Sequence, residues 1–499
     1  MGPPPPDVED AVTVPRAARI DPDYSGVVLP PNIAPLNFSI REEGSRFFVR
    51  IHSDAGQPVE IDSSSPAIEI PLRPWHALVS ASRGRDLRMD VYAQSDGQWR
   101  QYQPIVNHVA EEEIDGHLAF RLIGPVHNKW GEVEIHQRNL ENFEESPILD
   151  GKTLARGCVN CHSFVGNDPN KMLVAFRSRL GRGTLLADNG KVAKLDLRIG
   201  YTAWHPSGRI AAYSINNLEQ LFHLAGPEVR DVIDMDGALA YYHVEGHRST
   251  MVPGASANQR LETYPAWAPD GRYLYYCSAT PLWAYHKRDA RAEPPARYAE
   301  VKYDLRRIPY DVDTDQWGKP ETVLAAAQTG LSILAPRISP DGRFLLMCMC
   351  RYGSFPVYQP TSDLYMMDLA RGTWKKADGV NSEFSESWHC WSSNSRWIAF
   401  SSKRGGGTFT RCYLSYVDET GGTHKPLIVP QRDPERYRSM LKTISLPELL
   451  TAPVPYSSTD MARAARSDSF VQVAAPSATR DATGAEPWRR ASHDHIDEH

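Results

Sequence analysis

With 499 residues, 41% apolar and 23% charged, the chain can form a substantial core and has the balance of a soluble protein. A formal net charge of −6 gives nucleic acid no cationic surface to bind. No stretch reaches the ~18 consecutive apolar residues of a membrane-spanning helix, and 7 cysteines in this length make no disulfide scaffold.

Residues 1–30 read as a flexible leader. Their opening, "MGPPPPDVEDAVTVP", lacks the basic and apolar regions of a secretory signal. From residue 31 to 140 short alternating segments such as "RFFVRIHSD" and "LRMDVYAQSDGQWRQY" have a period of two and break at Gly, Asp and Ser, which predicts a β-sandwich-like domain. Residues 141–180 read as a linker.

Beyond that linker the chain repeats. "YTAWHPSGRIAAYS", "YPAWAPDGRYLYYCS", "APRISPDGRFLLMCM" and "SWHCWSSNSRWIAFSS" each combine a short strand, a tight turn, a basic residue and an alternating strand. In the turn, Pro presets φ, Asp caps the backbone, and Gly accepts positive φ. Repeated four-stranded units must stack to bury their faces, and a radial stack is a propeller. The expected fold is therefore all-β, a sandwich-like domain followed over 181–451 by a propeller with room for six or seven blades. Trp204, Trp267, Ile338 and Trp391 should occupy equivalent places in it. The tail 452–499 lacks periodicity and reads as disorder, including its terminal "HDHIDEH".

The chemistry-bearing motif is "CVNCH", Cys158 to His162. Cys-x-x-Cys-His suits a covalent c-type haem: two thiols form thioethers to the porphyrin, and the adjacent histidine ligates the iron. A thiol redox pair would need a βαβ setting, and structural zinc would need two further ligands at suitable spacing. Neither is visible. Cys277, Cys348, Cys350, Cys390 and Cys412 lie in or beside apolar segments and read as buried hydrophobes. No phosphate loop, Gly-x-Ser-x-Gly elbow or His-Glu-x-x-His is present.

The motif line "CVNCHSF...KML", with "YTAWHPSGRIAAYS", "SDLYMMDL", "ESWHCWSSNSRWIAFSSKRGGGTFTRCYLSYVD" and "HKPLIVPQRDPERYRSMLKT", resembles bacterial TolB-like β-propeller proteins. In these, repeats of the PD40, WD40-like type accompany a single c-type haem motif. The resemblance runs from about Tyr24 through Thr451. It implies one covalent haem c near the junction of the two domains, and an exported periplasmic or envelope-associated protein whose export signal is not in the given chain. Members often carry a His in the strand after the Met, where this chain has Ala175 and Phe176, so a bis-histidine iron through that position is not expected.

Cys158 and Cys161 are thus the expected tethers and His162 the proximal ligand. Met172 is the first candidate for the sixth ligand, with filling of the apolar core as its alternative role; His127, His205 and His389 follow. The leading expectation is an electron-transfer protein that docks a redox partner or belongs to an envelope complex. A haem enzyme with an open iron position, and a protein-binding propeller with a structural or sensory haem, are the alternatives.

Overall fold

The computed structural model describes residues 6–124, 130–179, 181–224, 226, 228, 230–256, 260–283 and 295–474. His127 and the "HDHIDEH" terminus lie outside them. The described chain is almost entirely β-sheet, arranged in several discrete sheets.

The amino-terminal part is built on a seven-stranded sheet in which Asp86–Ser95 pairs with Arg46–His52, Gln98–Gln103 and Ile105–Val109. A three-stranded sheet and the helix Leu72–Ala81, with Trp75, Leu78 and Val79 buried, complete its core. Its boundaries differ from the expected 31–140 at both ends. In the segment expected as a leader, Val12–Ala17 pairs in parallel with Gln98–Gln103, and Arg16 makes a two-point ion pair with buried Glu42 (2.6 and 2.8 Å). Tyr24 is fully buried. Proline and acidic residues dominate this segment's composition, yet its strand borrows partners 86–88 residues away, a relation that local composition does not carry. At the other end, His117–Ile123 and Glu134–Asn139 leave this domain and join the carboxy-terminal strand Thr443–Leu450.

The remaining strands form six antiparallel runs. Four are separate four-stranded sheets; the other two meet in a nine-stranded sheet through the parallel pairing of Gly237 with Leu261. In chain order the runs open on Cys158–Val165, Thr202–Trp204, Leu261–Trp267, Ser332–Ile338 and Glu386–Trp391. The sixth pairs Thr443–Leu450 with His117–Ile123, Glu134–Asn139 and Glu145–Asp150. Each opening strand packs against the next, up to Thr443–Leu450.

Trp204, Trp267, Ile338 and Trp391 each end the opening strand of a run, so the four occupy equivalent places. The turns that follow are alike: Gly208, Gly271, Gly342 and Ser395 each donate a backbone hydrogen bond to the residue three before (2.8–3.0 Å), at φ of 62–73°. The CVNCH segment is itself one of these opening strands, not a linker or insertion. Its turn is Val-Gly-Asn-Asp, without the Pro-Asp-Gly chemistry that marks the others.

The tail is also partly structured. Ser457 caps the helix Ser458–Arg466, its hydroxyl accepting from the Asp460 amide (3.1 Å), and Met461, Ala462 and Ala465 are buried. This apolar face packs with Leu154, Val174 and Leu185. The expectation of disorder from residue 452 therefore fails as far as residue 474: a short helix with small buried residues carries little composition signal.

Candidate functional site

Five of the six opening strands contain a residue at positive φ where the ladder slips: Cys161 (54°), Tyr264 (53°), Ala335 (50°), Trp388 (42°) and Leu446 (51°). In the first, Cys161 and His162 together stand opposite the single residue Val174, between the pairs Asn160–Ala175 and Ser163–Leu173. This is a β-bulge, which bends the strand and re-aims its side chains. The two cysteines thus sit on a strand and its bulge rather than on a helical turn.

The bulged positions come together. Tyr201, three residues before Trp204 as Tyr264 is before Trp267, has its ring 4.1 Å from Tyr264 and 5.7 Å from Trp388. Phe355 adds an edge contact to Trp388 (5.4 Å) and stacks on Tyr358 (5.2 Å). Above this aromatic cluster runs a long hairpin, Ile210–Phe222 with Arg230–His243. Its outer half reaches other runs: Arg230 lies over the Tyr358 ring (4.1 Å), Tyr352 donates to Asp231 (2.8 Å), and Lys403 pairs with Glu228.

Arg121, 6% exposed on the strand beside Thr443–Leu450, completes the group. Its guanidinium donates to Asn160 Oδ1 (2.6 Å) and Ser445 Oγ (3.1 Å), and Asn160 Oδ1 also accepts from the Cys161 amide (2.9 Å). The charge of Arg121 is felt by Cys158, Cys161, His162, Tyr201, Tyr358 and Arg230, so these groups lie in one neighbourhood around it.

Burial pushes the Cys161 thiol up to about 12, against the opposing pull of Arg121, and raises Cys158 for the same first reason. The two are free thiols, protonated at neutral pH. A reactive redox pair needs the opposite shift. The remaining five cysteines are buried, as expected of small hydrophobes.

Burial also lowers His162, with help from Arg121, to about 3, so its imidazole is neutral. The ring is 6% exposed, and neither nitrogen has a hydrogen-bond partner. The Leu446 backbone lies close enough to favour the protonated ring slightly but does not reach hydrogen-bond geometry. A buried imidazole with two idle nitrogens is costly.

The other histidine candidates are engaged. His205 meets Ser207 Oγ through Nδ1 (2.7 Å) and the Gly271 carbonyl through Nε2 (3.2 Å). His389 meets Cys348 Sγ through Nδ1 (3.7 Å) and donates from Nε2 to the Leu346 carbonyl (3.0 Å). Met172 is fully buried in the apolar core with Val159, Phe164 and Val174, its backbone opposite Phe164. Among the described residues no three His, Cys, Asp or Glu side chains are placed to hold a metal ion together. Cys158, Cys161 and His162 therefore do not form a convergent tetrahedral set.

A haem asks for something different: two thiols at its edge and one neutral nitrogen. The orphaned His162 ring, the two free thiols and the aromatic surfaces fit those needs. Arg121, Asn160 and Tyr201 were not expected from the sequence. Tyr201 had a signal in the aromatic residue three before the strand-ending tryptophan in "YTAW", "YPAW" and "WHCW". Arg121 had none, because its neighbours come from strands far along the chain.

No family model matches the chain, and no curated protein matches it. Among solved structures it is similar to TolB from Acinetobacter baumannii, at 12% identity over 70% of this chain and 80% of that one, with a TM-score of 0.39. It is similar also to an oligogalacturonate lyase from Vibrio parahaemolyticus, at 12% identity over 81% and 98% of the two chains (TM-score 0.33). An oligogalacturonate lyase in complex with manganese matches at 15% identity over 68% and 87%, with a TM-score of 0.32. The likeness to TolB is very distant, partial and one of fold alone.

Proposed function

We propose that the chain is a c-type haem protein, its six antiparallel runs being the blades of one propeller and its haem carried beside Cys158, Cys161 and His162 at the blades' inner strands. The observation that carries this reading is the buried, neutral His162 ring, whose two nitrogens have no partner, directly after two free cysteines. The six runs support six blades rather than seven, with Thr443–Leu450, paired to His117–Ile123, as the inner strand of the last.

In this reading Cys158 and Cys161 are the thioether tethers and His162 is the proximal ligand. Haem, when bound, supplies one-electron exchange at iron. The protein's part is to keep the imidazole neutral by burial, to orient it through the bulge, and to exclude water with the aromatic cluster and the hairpin. Electron transfer with a redox protein partner, in an envelope complex, is the function this supports best. A periplasmic or envelope location accompanies it, because thioether attachment generally proceeds outside the cytoplasm.

A second reading, a haem with an open iron position acting on a small molecule, is favoured by one observation. His205 and His389 have both ring nitrogens engaged, and Met172 is packed in the apolar core. The test of the first claim is expression in a host with c-type maturation. Denatured protein should keep its chromophore and give a thioether-type pyridine haemochrome, which Cys158→Ser with Cys161→Ser should abolish. A colourless product from that host sinks the haem reading.

A further inference from the structure

We propose that Leu218 and Phe222, on one face of the long hairpin, form an apolar cover for a face of the porphyrin, an assignment that rests on the haem reading. Among the described residues ten large apolar side chains are exposed, and three of them, Leu218, Phe222 and Leu224, fall within seven positions. Apolar surface gathered in this way marks a contact site, whereas single exposed residues do not. The strand register says which way it looks. Side chains directly opposite in an antiparallel pair share a face, and here Leu218 stands opposite Asp234, Gln220 opposite Val232 and Phe222 opposite Arg230. Asp234 accepts from Asn216 Nδ2 (2.7 Å) and from the Tyr303 hydroxyl (3.4 Å). Val232 packs in one core with Tyr264 and Tyr303, and Arg230 lies over the Tyr358 ring. The face that bears Leu218 and Phe222 is therefore the one turned to the aromatic cluster.

That cluster adjoins the cysteine motif. The Tyr201 ring is 4.1 Å from Tyr264, and its phenol is raised first by burial and further by both Cys161 and Asp234, so it lies within range of each. Beyond Ser214 the strand Ile210–Phe222 is paired on one side only among the described residues, which leaves its other edge open. On this strand the face in question carries Asn216, Leu218, Gln220 and Phe222, none of them charged. Such a surface suits a flat apolar macrocycle tethered at Cys158 and Cys161. A protein partner would instead need the apolar side chains to point away from the molecule. Neither Leu218 nor Phe222 has an atom that ligates iron, so this cover keeps water from the haem without supplying a sixth ligand.

The experiment uses leucine-methyl NMR spectra of the full chain, produced with c-type maturation, reduced and saturated with carbon monoxide so that the iron is diamagnetic. Leu218→Met assigns the Leu218 methyl signals, and Cys158→Ser with Cys161→Ser supplies the haem-free reference. A methyl lying over a porphyrin face is moved upfield by the ring current. The Leu218 signals should therefore stand upfield in the haem-bearing protein and return to the ordinary leucine range in the haem-free one. Signals in the ordinary range in both overturn the assignment. The same outcome together with a dimer in sedimentation that Leu218→Gln with Phe222→Gln dissolves makes a second copy of the chain the occupant instead. In that double variant the haem should stay attached and its reduction midpoint should fall, because water reaching the haem favours the more highly charged oxidised iron. An unchanged midpoint also overturns the assignment, and if the double variant does not fold, the methyl spectra of the unmodified protein decide. Absence of haem from the unmodified protein defeats the haem reading itself and is a separate outcome.

Discussion

His162 and His389 occupy the same step of their strands, directly after Cys161 and Trp388, the residues at positive φ. Burial lowers both to about 3. They differ in partners: His389 is bonded on both sides, whereas His162 is bonded on neither. The same residue scale holds a carboxyl with an inverted balance. Glu262 is fully buried, receives a bond from Ser278 (3.3 Å), and is pushed up to about 8 by burial, partly offset by Arg260. The unfolded chain loses this proton near pH 4.5, while the folded chain holds it until about pH 8. Glu262 therefore favours the native state fully below pH 4.5 and loses that contribution as pH rises to 8, at no more than about 1.4 kcal/mol per pH unit. Glu262→Gln, which cannot ionise, should gain stability relative to the parent between pH 5 and pH 8 in urea unfolding. A stability difference that stays constant over that range would contradict the buried, protonated state.

At the scale of the element, turns and bulges do the positioning. Gly342 closes its turn at φ 73°, and a Cβ there would meet no atom within 4 Å. Gly342→Ala should therefore cost only the left-handed backbone penalty, about 1–2 kcal/mol, and leave the fold intact. A much larger loss in thermal or denaturant unfolding would show that the site is sterically crowded. The helix Ser458–Arg466 gives a sharper contrast. Met461 is fully buried against the sheets, so Met461→Ala should destabilise by about 2–5 kcal/mol. No measurable change would mean that the segment after residue 452 behaves as a tail after all.

At the scale of the whole molecule, the order of runs is joined across the full chain length. Thr443–Leu450 pairs with His117–Ile123, more than 300 residues earlier, and in our reading this closes the ring. Truncation after Lys442 strips that edge and should abolish cooperative unfolding, not merely lower its midpoint. A truncated chain with a single sharp transition would show that closure contributes little. In the haem reading the iron's sixth position belongs to this scale too, because tertiary placement decides what can reach it. If His205 and His389 stay engaged and Met172 stays in the core, the reduced haem protein should bind carbon monoxide readily, which would favour the open-iron reading over electron transfer. A low-spin haem that binds it poorly, but binds it well as Met172→Ala, would put Met172 on the iron and favour electron transfer.

The sequence by itself determined what local rules can encode. Period-two patterns give strands, Pro-Asp-Gly and its relatives give turns, and Trp204, Trp267, Ile338 and Trp391 fall at equivalent strand ends because the same short-range chemistry recurs at each. The motif Cys158-x-x-Cys161-His162 was legible for the same reason, as five adjacent positions. Only the tertiary structure decided that this motif is the opening strand of a sheet, with a bulge. Only it drew Val12–Ala17 into a sheet and carried His117–Ile123 out of the first domain to meet Thr443–Leu450. Strand pairing is satisfied by any backbone of matching geometry, so its partner is chosen by the global packing of apolar faces. Arg121 belongs to that second category: its charge acquires meaning only where Asn160, Ser445 and Cys161 are brought beside it from separate parts of the chain.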